Sequence, residues 1–327
     1  MHKDIVGLLR CPASGQSLSL CDAEVRNGEV YAGFLVSEDG SHRYPIVGAI
    51  PRFVPESNYA DNFGMQWNLF QKTQLDSYSG RPISANRFWR ATGWRPDSLS
   101  GKWVLDVGCG AGRFAEIALQ AGANVVALDY SSAVNACYEN LRGHPNLHVM
   151  QANMYEPPFL PHSFPFVYSL GVLQHTPDVH RAFGSVAKLV ASHGDLCVDY
   201  YQRRWQSLLH AKYAFRPLTK RIPKEKLFSL LQILVPTMLK ISQAIGLVPV
   251  IGRFLKRAIP IADYTGIYDL NARQLEEWAL LDTFDMLGPE YDQPQTAATA
   301  RKWLVDAGFV GVEVFREGHL VARGRNP

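Results

Sequence analysis

The chain has 327 residues, of which 47% are hydrophobic and 19% charged, and its formal net charge is +3. This composition is typical of a globular protein and excludes intrinsic disorder, and the length allows one large core with an accessory unit. The net charge is too small to indicate nucleic-acid binding by itself. The five cysteines include no C-x-x-C pair, so the chain suggests neither a disulfide framework nor a cysteine-only zinc site. Because the first residues contain no long apolar segment of a secretory signal, we expect a cytoplasmic setting.

Residues 1–56 are predicted to form a small β-rich ribbon. The segments "LLRCPASGQSLSL" and "LVSEDGSHRYPIVGAIPRFVP" resemble a Trm112-like zinc-ribbon domain, which has C-P-x-C near its start and C-x-x-C-G before "YPI". Of the four ligand positions that the resemblance implies, Cys11 remains, and the other three are occupied by Ser14, Ser37 and Gly40. Since a tetrahedral zinc site needs four soft or imidazole ligands, we predict a degenerate ribbon without metal. Cys21 and His42 fit no regular ligand spacing.

Residues 57–100 are predicted to form a helical cap. In "NFGMQWNLFQKTQLD", residues 62–76, Phe63, Trp67, Phe70 and Leu75 recur close to helical spacing. Such a helix can cover a ligand of the domain that follows it, or pack on the edge of that domain's sheet. Gln66, placed between aromatic residues, favours the first alternative.

From residue 101 the chain alternates strands and helices. Apolar runs such as "KWVLDV" and "NVVALD" indicate strands buried on both faces, and the segments between them have helical spacing. This α/β pattern predicts a mostly parallel, Rossmann-like sheet over residues 101–200 and 294–327. The last segment, "VGVEVFREGHLVARG", turns at Glu317 and Gly318 and would add an antiparallel hairpin at the sheet edge.

The run "VLDVGCGAGRF", residues 104–114, raises the question of which ligand its glycine turn holds. A dinucleotide-binding turn would have its third glycine at position 113, where this chain has Arg113, and a P-loop would end in Gly-Lys-Ser/Thr. Asp129 ends the second strand, 19 residues after Gly110, where a carboxylate can accept hydrogen bonds from both ribose hydroxyls. The turn therefore predicts a nucleoside ligand that needs no pyrophosphate pocket.

At these residues the chain resembles class I S-adenosylmethionine-dependent methyltransferases of the type 11-like group. "VLDVGCGAG" followed by "VVALDYS" is similar to their signature, "VMQANMYEPPF" to their adenine-contacting segment, and "YSLGVLQHTPD" to the end of their fourth strand. In the second of these, Asn153 stands where the family usually has an acid. The resemblance implies S-adenosylmethionine as cofactor, S-adenosylhomocysteine as product and no metal. The cofactor contacts it implies, with two from the cap, are Gln66, Trp67, Asp106, Gly108, Cys109, Gly110, Asp129, Tyr130, Asn153, Met154 and Leu170.

His175 is the residue that we expect to act as general base, because an imidazole can take up a proton at neutral pH. The alternative is that His175 caps the next helix beside Thr176 and Pro177. No N-P-P-Y type motif follows the fourth strand, which disfavours amide or adenine N-methylation. We therefore expect O-methylation of a small hydroxylated metabolite, a sugar or polysaccharide, or a lipid-linked intermediate. An rRNA or tRNA methyltransferase and a non-catalytic, cofactor-binding subunit that recruits a partner are the alternatives.

Residues 201–293 are predicted to form a helical insertion that carries the charge of the chain. Residues 203–257 contain twelve Lys or Arg and one acid, a net +11 that leaves −8 for the remainder. The apolar run 227–235 is too short to span a bilayer, and we expect Pro236 and Lys240 to interrupt it. Such an insertion can be a lid, a membrane-surface foot, a grip on an anionic substrate or a plain solvated face. RNA is disfavoured because the segment lacks spaced aromatics.

The segment "WALLDTFDMLGPEYDQPQT", residues 278–296, is predicted to be a loop on the substrate side of the sheet. Its polar residues would lie above the carboxyl ends of the strands, where open α/β sheets bind substrates. Asp285 and Tyr291 are the substrate contacts that we expect, with Asp282 and Asp292 nearby. The sequence leaves the acceptor and the oligomeric state open.

Overall fold

The computed structural model describes residues 1–55, 61–203, 211–248, 252 and 255–327. Parts of the predicted ribbon, cap and insertion, namely residues 56–60, 204–210, 249–251 and 253–254, lie outside the described residues. The strands are β1 (Leu18–Arg26), β2 (Glu29–Ser37), β3 (Arg43–Val47), β4 (Ile50–Pro51), β5 (Trp103–Val107), β6 (Asn124–Asp129), β7 (Leu147–Gln151), β8 (Phe164–Ser169), β9 (Val190–Tyr200), β10 (Val310–Glu317) and β11 (His319–Arg325). The α-helices are α1 (Asp61–Leu69), α2 (Asp76–Ser79), α3 (Ile83–Thr92), α4 (Pro96–Leu99), α5 (Ala115–Gln120), α6 (Ala133–Leu141), α7 (Val179–Ala187), α8 (Ala211–Thr219), α9 (Lys224–Gly246), α10 (Ala272–Leu287) and α11 (Ala297–Asp306).

A seven-stranded sheet with the order β10-β11-β9-β8-β5-β6-β7 organises the chain. Strands β5 to β9 pair in parallel, and β11 pairs with β9 and β10 in antiparallel fashion, so the predicted parallel sheet with an antiparallel hairpin edge is confirmed. The side chains of β5 alternate between the two faces, with Leu105 and Val107 in one hydrophobic cluster and Val104 in the other. Burial on both faces explains the unbroken apolar run in the sequence.

The N-terminal segment forms a second, antiparallel sheet with the order β1-β2-β3-β4. It packs against the β7 edge of the large sheet, where the Phe53 amide donates to the Gln151 carbonyl at 2.8 Å. Leu9, Val30 and Leu35 are fully buried in the same hydrophobic cluster as Leu105. This β-rich unit therefore shares a core with the large sheet.

The ligand position that the ribbon retains, Cys11, is buried, and its sulfur lies 3.2 Å from the Tyr44 hydroxyl. The Ser37 hydroxyl donates to the Asp39 carboxylate at 2.7 Å. Within the described residues, no three His, Cys, Asp or Glu side chains come together as a metal would require. The resemblance of residues 1–56 to a Trm112-like domain stays a prediction, as does the expectation that the protein lacks zinc.

The predicted cap contains four helices, α1 to α4. The helix expected over residues 62–76 ends earlier, at Leu69, so Leu75 lies outside it and that part of the expectation is wrong. The reason is tertiary: the Asn140 side chain donates to the Gln71 carbonyl at 2.8 Å and holds this segment as a turn. Gly64 lets α1 approach α6 closely, because a Cβ there would lie 2.3 Å from the Ser132 hydroxyl.

In the insertion, α9 continues through Pro236 and Lys240, so these residues interrupt the apolar run of the sequence but not the helix. A proline removes one helical hydrogen bond, and packing on both sides of it compensates. The buried stripe recurs every four residues against α10 and consists of Leu227, Leu231, Val235 and Leu239. By length and composition alone, α9 is also long and apolar enough to cross a membrane.

The segment expected to be a substrate-side loop is helical as far as Leu287, so Asp282 and Asp285 lie on α10 rather than in a loop. Its start carries a capping box, in which Asn271 accepts from the Gln274 amide and the Gln274 side chain accepts in return. Tyr291 and Asp292 lie in the loop that follows the helix.

We predict that the purified, dialysed protein contains far less than one zinc per chain, because a single thiol cannot hold the ion. Elemental analysis measures this directly. Cys11→Ser serves as the matched control and should leave the metal content unchanged. A content near one zinc per chain that falls in the Cys11→Ser variant would show that the ribbon still binds metal.

Candidate functional site

A cavity of about 610 Å³ opens at the carboxyl ends of β5, β6 and β8, a volume usual for small-molecule sites. Helices α1 and α10 form walls that rise from the sheet. Among its lining residues are eleven that the sequence predicted: Gln66, Trp67, Gly108, Cys109, Gly110, Asp129, Tyr130, Met154, Leu170, His175 and Asp285. Three predicted residues, Asp106, Asn153 and Tyr291, are not among them.

The glycine turn after β5 forms the floor of the cavity. Gly108 and Gly110 have φ values of 85° and 53°, in the left-handed region that favours glycine. A Cβ on Gly108 would lie 2.4 Å from Val172, and one on Gly110 would lie 3.1 Å from the Trp67 ring. These glycines therefore let Val172 and Trp67 pack directly against the backbone of the turn, and both side chains line the cavity.

Asp129 connects this turn to the end of β6. One of its oxygens accepts from the Gly110 amide at 3.0 Å, and the other accepts from the Ser131 amide at 2.8 Å and hydroxyl at 2.7 Å. Burial raises the pKa of Asp129, while the bonds from Ser131 and Gly110 lower it. The Tyr130 backbone also lowers the pKa of Asp129, and the residue lines the cavity, where its carboxylate is in reach of a ligand hydroxyl.

Asp106 lies beneath the cavity wall rather than on it, and 2% of it is exposed. Burial raises its pKa to about 8; the Tyr168 hydroxyl acts in the opposite direction, and Asp129 raises the pKa further. Asp106 is therefore a buried acid that precedes the glycine turn in the chain and does not line the cavity.

The segment after β7 brings Met154 to the cavity but not Asn153. The Asn153 side-chain oxygen accepts from the Tyr155 amide at 3.0 Å, as in an Asx turn. The adenine contact predicted for Asn153 would have to use the second lone pair of that oxygen or the amide nitrogen, and it stays a prediction.

His175 ends a 3₁₀ helix, Leu173–His175, that follows β8. Its Nδ1 lies 3.0 Å from the Tyr291 carbonyl, and since a carbonyl only accepts, Nδ1 carries the hydrogen and Nε2 keeps a lone pair. Nε2 has no hydrogen-bond partner in the described part of the chain. The ring packs between Phe63 and Tyr201, with centroid distances of 5.3 and 5.4 Å.

The alternative role for His175, capping the next helix, falls to another residue. The N-cap of α7 is Asp178, whose carboxylate accepts from the Arg181 amide at 3.0 Å. Tyr291 contributes its backbone carbonyl to the site, and its side chain is not part of the cavity wall.

The wall opposite the glycine turn is built around two carboxylates on α10. Asp282 accepts from the Tyr264 hydroxyl, from Trp278 Nε1 at 3.2 Å and from Gln74 Nε2 at 3.0 Å. Burial raises the pKa of Asp282 to about 6, although the Tyr264 hydroxyl lowers it. The second carboxylate, Asp285, accepts from the Tyr201 hydroxyl at 2.9 Å.

Three arginines that the sequence analysis did not select as site residues also line the cavity: Arg87, Arg113 and Arg316. Arg87 lies 2.7 Å from Asp199 and 3.1 Å from His319. Although burial raises the pKa of Asp199, Arg87 and His319 hold it well below its usual range. Burial and Arg87 lower the pKa of Arg113 to about 10. The sequence could have pointed to Arg113, because it occupies the position of the third glycine in a dinucleotide-binding turn. Arg87 lies in α3, where no motif marks it.

Gln66 is the feature of α1 that points most directly to a ligand. It is 1% exposed and lines the cavity, and neither its amide oxygen nor its nitrogen has a hydrogen-bond partner among the described residues. An unpaired buried amide costs about 1–3 kcal/mol. A polar ligand in the cavity would remove that cost.

Comparison with known proteins places this site in a family. Residues 105–198 match the family model described as a methyltransferase domain. A ubiquinone biosynthesis O-methyltransferase of Aliivibrio fischeri is 31% identical over 131 residues, which cover 39% of this chain and 56% of that protein. One from Vibrio cholerae is 30% identical over 133 residues, covering 40% and 54%. The chain thus spans little more than half the length of these curated relatives.

Among solved structures, human N-acetylserotonin methyltransferase in complex with S-adenosylmethionine matches 84% of this chain and 60% of its own, with 14% identity and a TM-score of 0.46. The matched family model and the sheet order agree with the signature in the sequence. Residues 105–198 are thus similar to methyltransferase domains, as the resemblance to class I S-adenosylmethionine-dependent methyltransferases predicts.

We predict that Asp129→Ala weakens binding of S-adenosylmethionine by about 1–3 kcal/mol, because a ribose hydroxyl would lose its acceptor. Isothermal calorimetry with S-adenosylmethionine and S-adenosylhomocysteine measures the change. Asp97→Ala, at an exposed position of α4, is the control. Equal affinity in the Asp129→Ala variant and the wild type would remove Asp129 from the site.

We predict that Asp106 makes stability fall as the pH rises. Its pKa is 3.8 in the unfolded chain and about 8 in the fold, so between these values the folded state holds a proton that the unfolded state has lost. The contribution is complete below pH 3.8 and is lost as the pH rises through 8, at up to about 1.4 kcal/mol per pH unit.

Urea unfolding at pH 5, 6.5 and 8.5 tests this sign. In Asp106→Asn, the free energy of unfolding should fall less steeply with pH, by the contribution of one proton. In Asp97→Asn, the slope should match that of the wild type. An unchanged slope in Asp106→Asn would mean that Asp106 is ionised in the folded protein at neutral pH.

Proposed function

We propose that the protein is an S-adenosylmethionine-dependent methyltransferase that methylates a hydroxyl oxygen of a small acceptor. The observation that carries the proposal is His175, a cavity-lining residue whose Nδ1 is held by the Tyr291 carbonyl and whose buried Nε2 has no hydrogen-bond partner among the described residues. A hydroxyl must lose its proton when its oxygen is methylated, and a fixed imidazole acceptor suits that task.

The residues of the cavity fit the cofactor. Asp129 lines the cavity beside the glycine turn, where its carboxylate is in reach of a ribose hydroxyl, and Gln66 brings an amide that has no partner among the described residues. Arg87 and Arg113 provide guanidinium groups that a ligand carboxylate would attract. When bound, S-adenosylmethionine supplies an electrophilic methyl carbon on a sulfonium, which is a good leaving group.

The chain's own residues then have mainly a positioning role, which contributes most of the acceleration in such a displacement. Phe63 and Tyr201 hold the His175 ring from two sides. In the proposal, Nε2 of His175 accepts the acceptor's hydroxyl proton as the oxygen attacks the methyl carbon. Trp67 lies across the glycine turn and limits access of water from that side.

The acceptor would occupy the end of the cavity opposite the glycine turn. Tyr264 and Tyr268 stack there with a centroid distance of 4.9 Å, and Trp278 lies 5.2 Å from Tyr268. Flat apolar surfaces of this kind favour a ring-shaped acceptor, while Asp285 and the Tyr201 hydroxyl offer polar contacts. The names of the curated O-methyltransferases support the choice of oxygen over nitrogen.

We predict that His175→Gln lowers kcat by about 10²- to 10⁴-fold through loss of the base, while the affinity for S-adenosylmethionine changes little. Release of S-adenosylhomocysteine is measured with a panel of dihydroxybenzenes as probes, which match the aromatic walls. His180→Gln, an exposed position on α7, is the control and should retain full activity.

Two outcomes would contradict the proposal. Turnover in His175→Gln equal to the wild type would exclude His175 as the base. Cofactor binding without turnover on hydroxyl, amine or RNA probes would favour a non-catalytic, cofactor-binding subunit instead.

A further inference from the structure

Helix α9 carries a second apolar stripe on the side opposite its buried one. Ile233 is 73% exposed and Leu247, just after the helix, is 83% exposed. Members of this outer stripe are Leu230, Ile233, Leu234, Ile241 and Leu247. Phe215 and Leu218 of α8 add exposed apolar surface in the same insertion. Isolated apolar side chains on a surface need no explanation, but several exposed aliphatic residues along one helix do, even though Ser229, Gln232 and Thr237 are exposed among them.

The fold does not need this ridge of exposed aliphatic side chains. The inner stripe of α9 already packs against α10, where Phe228 lies 5.6 Å from Phe284 and Leu231 and Leu239 belong to the same cluster as Leu287. A surface helix that served only as a cap would have polar residues on its outer side.

The described lysines and arginines between residues 212 and 256 fall into two groups. Four of them have partners in the fold: Lys212 and Arg216 lie near Asp292 at 3.0 and 3.7 Å, Lys224 donates to the Gly288 carbonyl, and Lys256 lies 2.6 Å from Asp263. These four basic residues therefore bind other parts of the fold and do not belong to a plain solvated face.

The second group is exposed and forms no ion pair within the part of the chain that the structure describes. Its members are Lys220, Arg221, Lys226 and Lys240. Lys226 and Lys240 belong to α9 itself, and by helical spacing they fall on the outer side with the apolar ridge. Aliphatic residues flanked by unpaired cations characterise helices that lie in the interface of an anionic bilayer.

We propose that the outer face of α9 docks on an anionic membrane surface, with the helix in the plane of the interface. The aliphatic ridge would enter the headgroup boundary while Lys220, Lys226 and Lys240 contact anionic lipid. The surface does not suit a second copy of the chain, since two such faces would oppose their unpaired cations. It does not suit RNA, because the ridge is aliphatic and offers no row of stacking aromatics.

This docking would bring the cavity close to the membrane, because α9 packs on α10 and α10 supplies Asp282 and Asp285 to the cavity wall. An amphipathic acceptor could then pass from the bilayer to the site over a short distance. Docking on the membrane does not depend on whether the methyl group is transferred to oxygen or to another atom of the acceptor.

Sedimentation with phosphatidylglycerol–phosphatidylcholine vesicles tests the proposal without any activity measurement. The wild type should pellet with these vesicles, pellet much less with pure phosphatidylcholine, and be released by 1 M NaCl. Lys220→Gln/Lys226→Gln/Lys240→Gln should lower the partition coefficient on the order of 100-fold, since each lysine near an anionic surface contributes about fivefold. Lys3→Gln/Lys102→Gln/Lys188→Gln, at exposed positions elsewhere, has the same net charge and should partition like the wild type.

The apolar ridge has its own matched pair of variants. Ile233→Gln should lower partitioning about tenfold, whereas Val305→Gln, at an exposed apolar position of α11, should not. Unchanged affinity for S-adenosylmethionine in all variants confirms that they are folded.

Three results would overturn the proposal. The first is failure of the wild type to pellet with anionic vesicles, or equal loss in both triple variants. The second is unchanged vesicle partitioning in the variants together with evidence for another occupant. That evidence would be a concentration-dependent dimer that Ile233→Gln disperses, or RNA binding that the Lys220/Lys226/Lys240 variant alone loses. The third is retention on vesicles in 1 M NaCl and alkaline carbonate, which would mean that α9 spans the bilayer.

Discussion

The hydrogen bond from the Gly110 amide to the Asp129 carboxylate, 3.0 Å long, ties the turn after β5 to the end of β6. It is possible because adjacent parallel strands end at the same edge of the sheet, and because glycine adopts the positive φ that aims this amide at Asp129. The bond fixes the height of the cavity floor, and the other walls are placed relative to it. Trp67 packs against Gly110, and Val172 packs against Gly108.

Much of the site near this bond is visible in the sequence. The signal is local there: the acid that ends β6, the glycines and the imidazole after β8 each follow directly from a strand, and the sheet brings strand ends together. Helix α1 was also visible from its aromatic spacing. Gly64 and Asn68, which seat it on Ser132, were not, because their role depends on a contact with α6.

The acceptor end could not be found in this way. Tyr201, Tyr264 and Asp282 come from separate segments, and nothing in the spacing of any one segment predicts their meeting. Asp282 and Asp285 were placed in a loop because acids and aromatics interrupt the apolar pattern of 278–296. Two signals favoured the helix more strongly. One is the capping box at Asn271, and the other is the set of apolar residues buried in α10, namely Trp278, Leu281 and Phe284. The excess of basic residues in the insertion was also hard to interpret. Composition cannot distinguish a lysine that donates to a carbonyl of the fold from a lysine in solvent.

Helix α1 contacts two parts of the molecule at once. Trp67 covers the glycine turn, while Met65, two residues earlier, packs in the hydrophobic cluster that α9 forms with α10. A force applied to the insertion would therefore reach the roof of the nucleoside pocket through one turn of helix. The packing of the insertion and the shape of the cavity are therefore coupled through a single short helix.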